Sequence, residues 1–246
     1  MIEDFGFSSE HIKIRFSGHR GFHVVVESES IRKLSSDERR EILDYITGEG
    51  LVAEYLGIRI DRGLVIGPSI YDPSWRGRIA RSLYEIVLAP DEIPLEGRAK
   101  EKISAISKEI VEGLEQRPAN WLPLKKLGRK HLEKLILAAV KRSACDVDRA
   151  VTQDTKRLLR IPNSLNGKTG FKVKEISITE VDAFNPFLEA TVFGREPTKV
   201  VFEWPVKIRI EGNVIEAKKN DILELPLSHA VYFVCKGFAS FLEGAV

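Results

Sequence analysis

The sequence predicts an α+β fold, a mixed or antiparallel sheet core with flanking helices, and three observations carry that prediction. Near the start, Ile12, Ile14 and Phe16 alternate with Lys13 and Arg15, and an apolar run (FHVVV, 22–26) follows a short turn holding Gly18 and Gly21. In the middle, apolar residues recur at helical spacing in charged surroundings. Towards the end, strand-like segments between 198 and 234 follow one another directly, which disfavours a regular strand–helix–strand array. A chain of 246 residues, 43% hydrophobic and 30% charged, is long enough to bury a core and is neither disordered nor collagen-like in composition.

Each element has its own signal. Two alternating runs around a glycine-containing turn read as a hairpin over 12–26. Ser35 and Glu38 stand three residues apart, a capping-box spacing, and open a helix through Ile42 and Ile46 that stops near Gly48. Residues 50–95 hold Pro68, Pro73, Pro90 and Pro94 and read as irregular, apart from a helical stretch near 79–87. Ile103, Ile106, Ile110 and Leu114 resume helical spacing, and a further helix covers about 128–143 with Leu132, Leu135, Ile136 and Ala139 on its apolar face. Thr152 is the expected N-cap of a short helix reaching 159, residues 162–170 form a loop, and 171–178 begins the run of strands. No internal repeat or low-complexity segment interrupts this order.

Composition narrows the function classes. No apolar run is long enough to span a membrane, and the acidic start (MIED) has no apolar stretch behind it, so neither a membrane span nor a secretory signal is expected. Cys145 and Cys235 form neither a disulfide framework nor a four-ligand zinc site, and they read as small buried groups. A reducing, cytoplasmic setting follows as the default. The net charge of +2 hides an uneven distribution: residues 121–175 carry 14 Lys and Arg against 5 Asp and Glu. Such a surplus suits a polyanionic partner, or else a solvated basic helix face.

Three clusters could carry chemistry. In the turn Ser17-Gly18-His19-Arg20-Gly21 and the following Phe22-His23, the glycines let a ligand approach the backbone closely. Ser17 adds a hydroxyl, Arg20 a planar fork for phosphate oxygens and His23 a further donor, although His23 shares a strand face with Val25 and could equally pack there. In Asp146-Val147-Asp148, an extended backbone would put both carboxylates on one face for Mg²⁺ or Mn²⁺; otherwise one caps the next helix and the other is solvated. Arg157 and Arg160 on the predicted short helix, with Ser164, Asn166 and Lys168, could line a triphosphate or a nucleic-acid backbone. Gly167-Lys168-Thr169 lacks the upstream glycine of a P-loop. Trp75-Arg76-Gly77-Arg78 with Arg81 is either a nucleic-acid contact or a buried tryptophan beside surface arginines, and His11, His131 and His229 lack metal-ligand spacing.

Together these segments resemble the archaeal and eukaryotic-type DNA primase small subunit. Residues 17–23 (SGHRGFH) resemble that family's serine-glycine-x-arginine-glycine-x-histidine motif. Residues 148–170 (DRAVTQDTKRLLRIPNSLNGKTG) resemble its second block, an aspartate, then leucine-leucine-arginine, then a serine-leucine-x-glycine-lysine-threonine-glycine loop. The stretches 34–48 (LSSDERREILDYITG) and 184–194 (FNPFLEATVFG) look archaeal. The resemblance runs from about residue 4 to the C-terminus and implies one catalytic domain portion over 1–246, with a variable helical insertion at about 50–140. It implies template-directed synthesis of short primers from nucleoside triphosphates with Mg²⁺ or Mn²⁺, on single-stranded DNA and beside a primase large subunit. By the same resemblance, Asp148 matches a catalytic, metal-binding carboxylate, while Ser17, Gly18, Arg20, His23, Arg160 and Lys168 match the triphosphate pocket.

Two departures temper those implications. The family's first acidic motif, an aspartate-x-aspartate strand, and the adjacent zinc-binding cysteines normally precede the residues matched here. The expectation is therefore an N-terminally incomplete catalytic portion, weak or inactive alone, belonging to a split enzyme with a separate N-terminal chain or to a shortened gene product. Asn166 stands where the family commonly has histidine, and an amide can donate a hydrogen bond but cannot become cationic. The competing class is a non-catalytic nucleotide- or nucleic-acid-binding module.

Overall fold

The computed structural model describes residues 1–62 and 64–242, and their contacts divide the chain into two compact units, Met1–Phe7 with Lys33–Arg157 and Ser8–Arg32 with Leu158–Val246. The first is mainly helical. Its helix Ser36–Thr47 begins with the predicted capping box, Ser35 accepting from Glu38 N–H while the Glu38 carboxylate accepts from Ser35 N–H, and ends at Gly48 with φ 69°. A side chain at Gly48 would meet both this left-handed backbone and the Trp75 ring, 2.8 Å from the built Cβ.

Helix Ser74–Leu88 is longer than the 79–87 read from the sequence, because Trp75 extends the inward-facing row Ile79, Leu83, Ile86 by one turn. Trp75 is buried and donates its indole N–H to Tyr45 O at 2.7 Å. The neighbouring arginines are engaged inside the unit: Arg76 with Asp72 and Leu56 O, Arg78 with Asp4, Arg81 with Ile70 O. That cluster is built as the buried-tryptophan alternative described. Two short strands also interrupt the region expected to be irregular, Leu64–Gly67 lying between Arg59–Asp61 and Ala119–Asn120 in an antiparallel sheet. Ile103 and Ile110 are both buried, but on separate helices, Gly97–Ala105 and Ser107–Glu115, which meet at Ile106. Helix Arg129–Ser143 presents Leu135, Ile136, Ala139 and Val140 to the same core.

The second unit holds the predicted hairpin. Ile12–Phe16 pairs antiparallel with Phe22–Val26 on one side and with Lys174–Ile176 on the other, in the register Phe16↔Phe22 and Arg15↔Glu175. A second antiparallel sheet has Pro197–Phe202 between Ile222–Pro226 and Ala239–Phe241, and Val206–Ile210 pairs with Asn213–Ala217 as a separate hairpin. Val200, Phe202, Ala230 and Phe233 centre its core, and Phe16, Phe171 and Ala190 form a second cluster with Phe184, Phe187 and Tyr232. All of these ladders are antiparallel, as the α+β prediction requires.

Three local expectations are corrected. Residues 227–235 form a helix rather than a strand: Ser228, His229, Ala230 and Phe233 are buried at helical spacing, and this overrides the β-propensity of Val231, Tyr232 and Val234. The helix expected from Thr152 runs instead over Arg149–Gln153, because Asp148 takes the N-cap position and Asp154 accepts from Lys156 N–H at 2.9 Å as the helix ends. Cys145 is exposed rather than buried, since it lies just past the end of Arg129–Ser143, whereas Cys235 is half-buried and burial pushes its thiol pKa up.

Candidate functional site

In the second unit, two turns are tied to each other by buried polar groups. The first, 17–21, closes with Ser17 N–H donating to Gly21 O at 2.9 Å, while Ser17 Oγ accepts from His19 N–H at 3.3 Å and Gly21 N–H at 3.4 Å. The second, 166–170, closes with Gly170 N–H donating to Asn166 O at 2.8 Å. Between them, Asn166 Nδ2 donates to Ser17 O at 3.2 Å, and Thr169 Oγ1 donates to Gly18 O. Asn166 Oδ1 also accepts from Lys168 N–H at 2.9 Å. Both Asn166 and Thr169 are 1% exposed, so these bonds form away from water, where an unmade partner is costly.

Gly18 is required at this seam. Its φ is +74°, and a Cβ there would lie 2.8 Å from Asn166 Cβ and 3.1 Å from Phe171 O. The sequence therefore permits the two turns to approach because it places a glycine in one and a compact amide in the other.

The turns bring basic side chains together. His19, Arg20, Arg160, Lys168 and Lys236 are mutually close enough that Lys236, Arg20, Lys168 and Arg160 all disfavour protonation of His19, after its burial. His19 Nε2 lies 3.0 Å from Lys236 Nζ. The Lys236 pKa is itself lowered by burial, Arg20 and Lys168. Among the described residues, none of Arg20, Arg160, Lys168 or Lys236 forms an ion pair with a carboxylate, whereas nearby Arg15 meets both Glu27 at 2.7 Å and Glu175 at 3.2 Å. Convergent cations without counter-charges are an arrangement that can attract a multiply charged anion.

The predicted residues separate under this geometry. Ser17, Gly18, Arg20, Arg160 and Lys168 belong to the paired turns or their cationic rim, Arg20, Arg160 and Lys168 being exposed. His23 is half-buried on the strand Phe22–Val26, opposite Arg15. Asn166, expected as a direct ligand, is enclosed, with both ends of its amide engaged, so it holds the turns together instead. Arg157 and Arg160 do not share a helix, and Arg157 reaches Asp148 at 3.7 Å. His19 and Lys236 were not singled out from the sequence. His19 lies inside the first motif and could have been found there, but Lys236 follows a helix with no linear signal.

Asp148 belongs to the helical unit. It caps Arg149–Gln153, its Oδ1 accepting from Ala150 N–H at 3.1 Å, and Asp146 is exposed in the loop before it. Asp148 is engaged by the helix end and by Arg157, and among the described residues no group of three or more His, Cys, Asp or Glu is placed to hold a metal, so a divalent ion at Asp148 would need further ligands beyond these. No described helix is long and apolar enough to cross a membrane.

Comparison with known proteins identifies the family. The family model "DNA primase small subunit" matches residues 1–178. The chain is 33% identical to the DNA primase small subunit PriS of Methanothrix thermoacetophila and 32% identical to that of Methanosarcina barkeri, covering 97% and 98% of this chain and 67% of each relative. The PriS of Hyperthermus butylicus is 32% identical, over 97% of this chain and 60% of its own length. The chain belongs to the DNA primase small-subunit family, a family of nucleotidyltransferases whose role is primer synthesis.

Proposed function

We propose that the cationic turns of the second unit bind the triphosphate of an incoming nucleoside triphosphate, and that the chain takes part as a small subunit in primer synthesis on a single-stranded DNA template, with a primase large subunit as partner. One observation carries the reading: Arg20, Arg160 and Lys168 surround His19 without any acidic partner among the described residues. A polyphosphate supplies the missing negative charge, and Arg20 can grip two of its oxygens at once. Ser17 and His23 are proposed as further donors at the same pocket. The helices within 50–140 are proposed as a variable insertion of the family fold.

In the reaction this pocket would orient the triphosphate and stabilise charge developing on the leaving pyrophosphate, work that positioned cations do without covalent chemistry. Asp148 is proposed to contribute a carboxylate to catalysis with Mg²⁺ or Mn²⁺, and the remaining acidic groups would come from outside the described residues. A second reading is a nucleotide-binding module without catalysis of its own.

The test compares ATP, AMP and adenosine for binding, and measures primer synthesis on single-stranded DNA with Mg²⁺ or Mn²⁺. Affinity in the order ATP, AMP, adenosine that collapses in Arg20→Ala supports the pocket. Equal binding of all three sinks it. Primer synthesis, alone or on addition of a partner chain, separates the catalytic reading from the binding module.

A further inference from the structure

Lys236 follows the helix Leu227–Cys235, outside the residues 1–178 matched by the family model. Lys236 is half-buried, its ammonium lying 5.6 Å from the centre of the Tyr232 ring and 3.0 Å from His19 Nε2. An ammonium has only donors, so this contact requires the imidazole to be neutral at Nε2 and to accept. The groups that face His19 are Arg20 on its own turn, Arg160 and Lys168 on the segment 158–170, and Lys236, with the Tyr232 phenol beside Arg20. None of these groups is a carboxylate.

A lysine that donates to a neutral histidine among three other cations has a poor acceptor. A phosphate oxygen is a much stronger one. We propose that Lys236 is an additional phosphate-binding residue of the pocket, and that its bond to His19 is the anion-free arrangement which polyphosphate replaces. On binding, Lys236 redirects its N–H from the imidazole to a phosphate oxygen. His19 Nε2 then takes one proton from water or buffer and becomes a donor itself. Binding therefore takes up a proton, and affinity rises as pH falls through the interval between the free and bound His19 pKa values. Burial and the four cations depress the free value below the usual histidine range, and that depressed value sets the lower end of the interval.

This inference rests on the nucleotide reading, so the experiment separates the two. Inorganic tripolyphosphate and ATP are titrated calorimetrically into the full chain in buffers of different ionisation enthalpy, for wild type, Lys236→Met, His19→Gln and Arg20→Ala. Lys236→Met keeps an unbranched side chain and removes the ammonium with its charge. The expected result is about tenfold weaker binding of both ligands in Lys236→Met, with the proton uptake of wild type lost in His19→Gln. Unchanged affinity in Lys236→Met, with loss in Arg20→Ala, overturns the role of Lys236 alone. Unchanged affinity in both overturns the nucleotide reading as well. NMR titration of the wild-type imidazoles, with His19 assigned through His19→Gln, needs no variant to bind. A rise in the His19 pKa on adding tripolyphosphate is expected, and no rise overturns the proton coupling.

Discussion

In the helical unit, Arg78 meets Asp4 at 2.5 Å, Arg129 reaches Glu133 and Glu54, and Arg149 pairs with Asp44 and Glu49. In the paired turns of the second unit, Arg20, Arg160, Lys168 and Lys236 converge on one histidine and meet no described carboxylate. Both regions are rich in basic residues, yet in the second the cations without an ion pair converge on one side chain. The stretch 121–175, with its 14 basic residues, contains members of both kinds, for Arg129, Arg149 and Arg157 are neutralised whereas Arg160 and Lys168 are not. Local charge surplus along the chain is therefore a poor guide to an anion site. Convergence of unpaired cations in three dimensions is the better one.

The largest effect expected from this difference is on binding. Arg20→Ala or Lys168→Ala removes a charge-assisted bond of about 1.5–3 kcal/mol and should weaken ATP roughly 10- to 100-fold. Neither substitution orphans a carboxylate, so thermal unfolding should stay within about 0.5 kcal/mol of wild type. A large stability loss in these variants would mean that the turns are structural cations after all.

Arg78→Met probes the opposite case. Asp4 has a side chain only 4% exposed, so removing its partner leaves a buried carboxylate uncompensated. A loss of about 2 kcal/mol is expected in denaturant unfolding, discounted from a fully buried pair because Arg78 remains partly exposed. ATP affinity should not change. If it falls in step with stability, the two regions are not independent.

Asn166 lies between these extremes, a neutral residue on which the cationic turns depend. Asn166→Ala leaves Ser17 O and Lys168 N–H without their partner and should cost about 1–3 kcal/mol, with ATP affinity falling as the turns separate. Asn166→His, which restores the residue common in the family, should bring no gain in affinity, because the position is 1% exposed. A gain would show that the side chain can reach the ligand.

Much of this fold was legible where the local signal was strong. The capping box at Ser35, the alternation over 12–26 and the helix at 128–143 rest on contacts within one element or one hairpin. The helix Leu227–Cys235 was not legible, since its β-branched and aromatic residues suit either state and only burial on one face decides. At the site, the motif residues Ser17, Gly18, Arg20 and Lys168 could be read from residue chemistry and resemblance. The enclosure of Asn166 could not, because it depends on contact across about 150 residues with Ser17. Lys236 was hidden for the same reason.

Asp148 gives the smallest effect on stability and the sharpest division of roles. As an N-cap its carboxylate accepts from Ala150 N–H, and its contact with Arg157 at 3.7 Å is solvent-exposed. Asp148→Ala should therefore cost only about 1 kcal/mol, while Asp148→Asn, an equally good cap, should leave unfolding almost unchanged. The amide keeps the acceptor oxygen but removes the negative charge that a divalent ion needs. In an assay that supports primer synthesis, a catalytic carboxylate predicts that Asn is as inactive as Ala despite its stability. A purely structural cap predicts that Asn is active and Ala slightly impaired. ATP binding at the cationic turns should survive in both variants, which separates loss of chemistry from loss of the nucleotide.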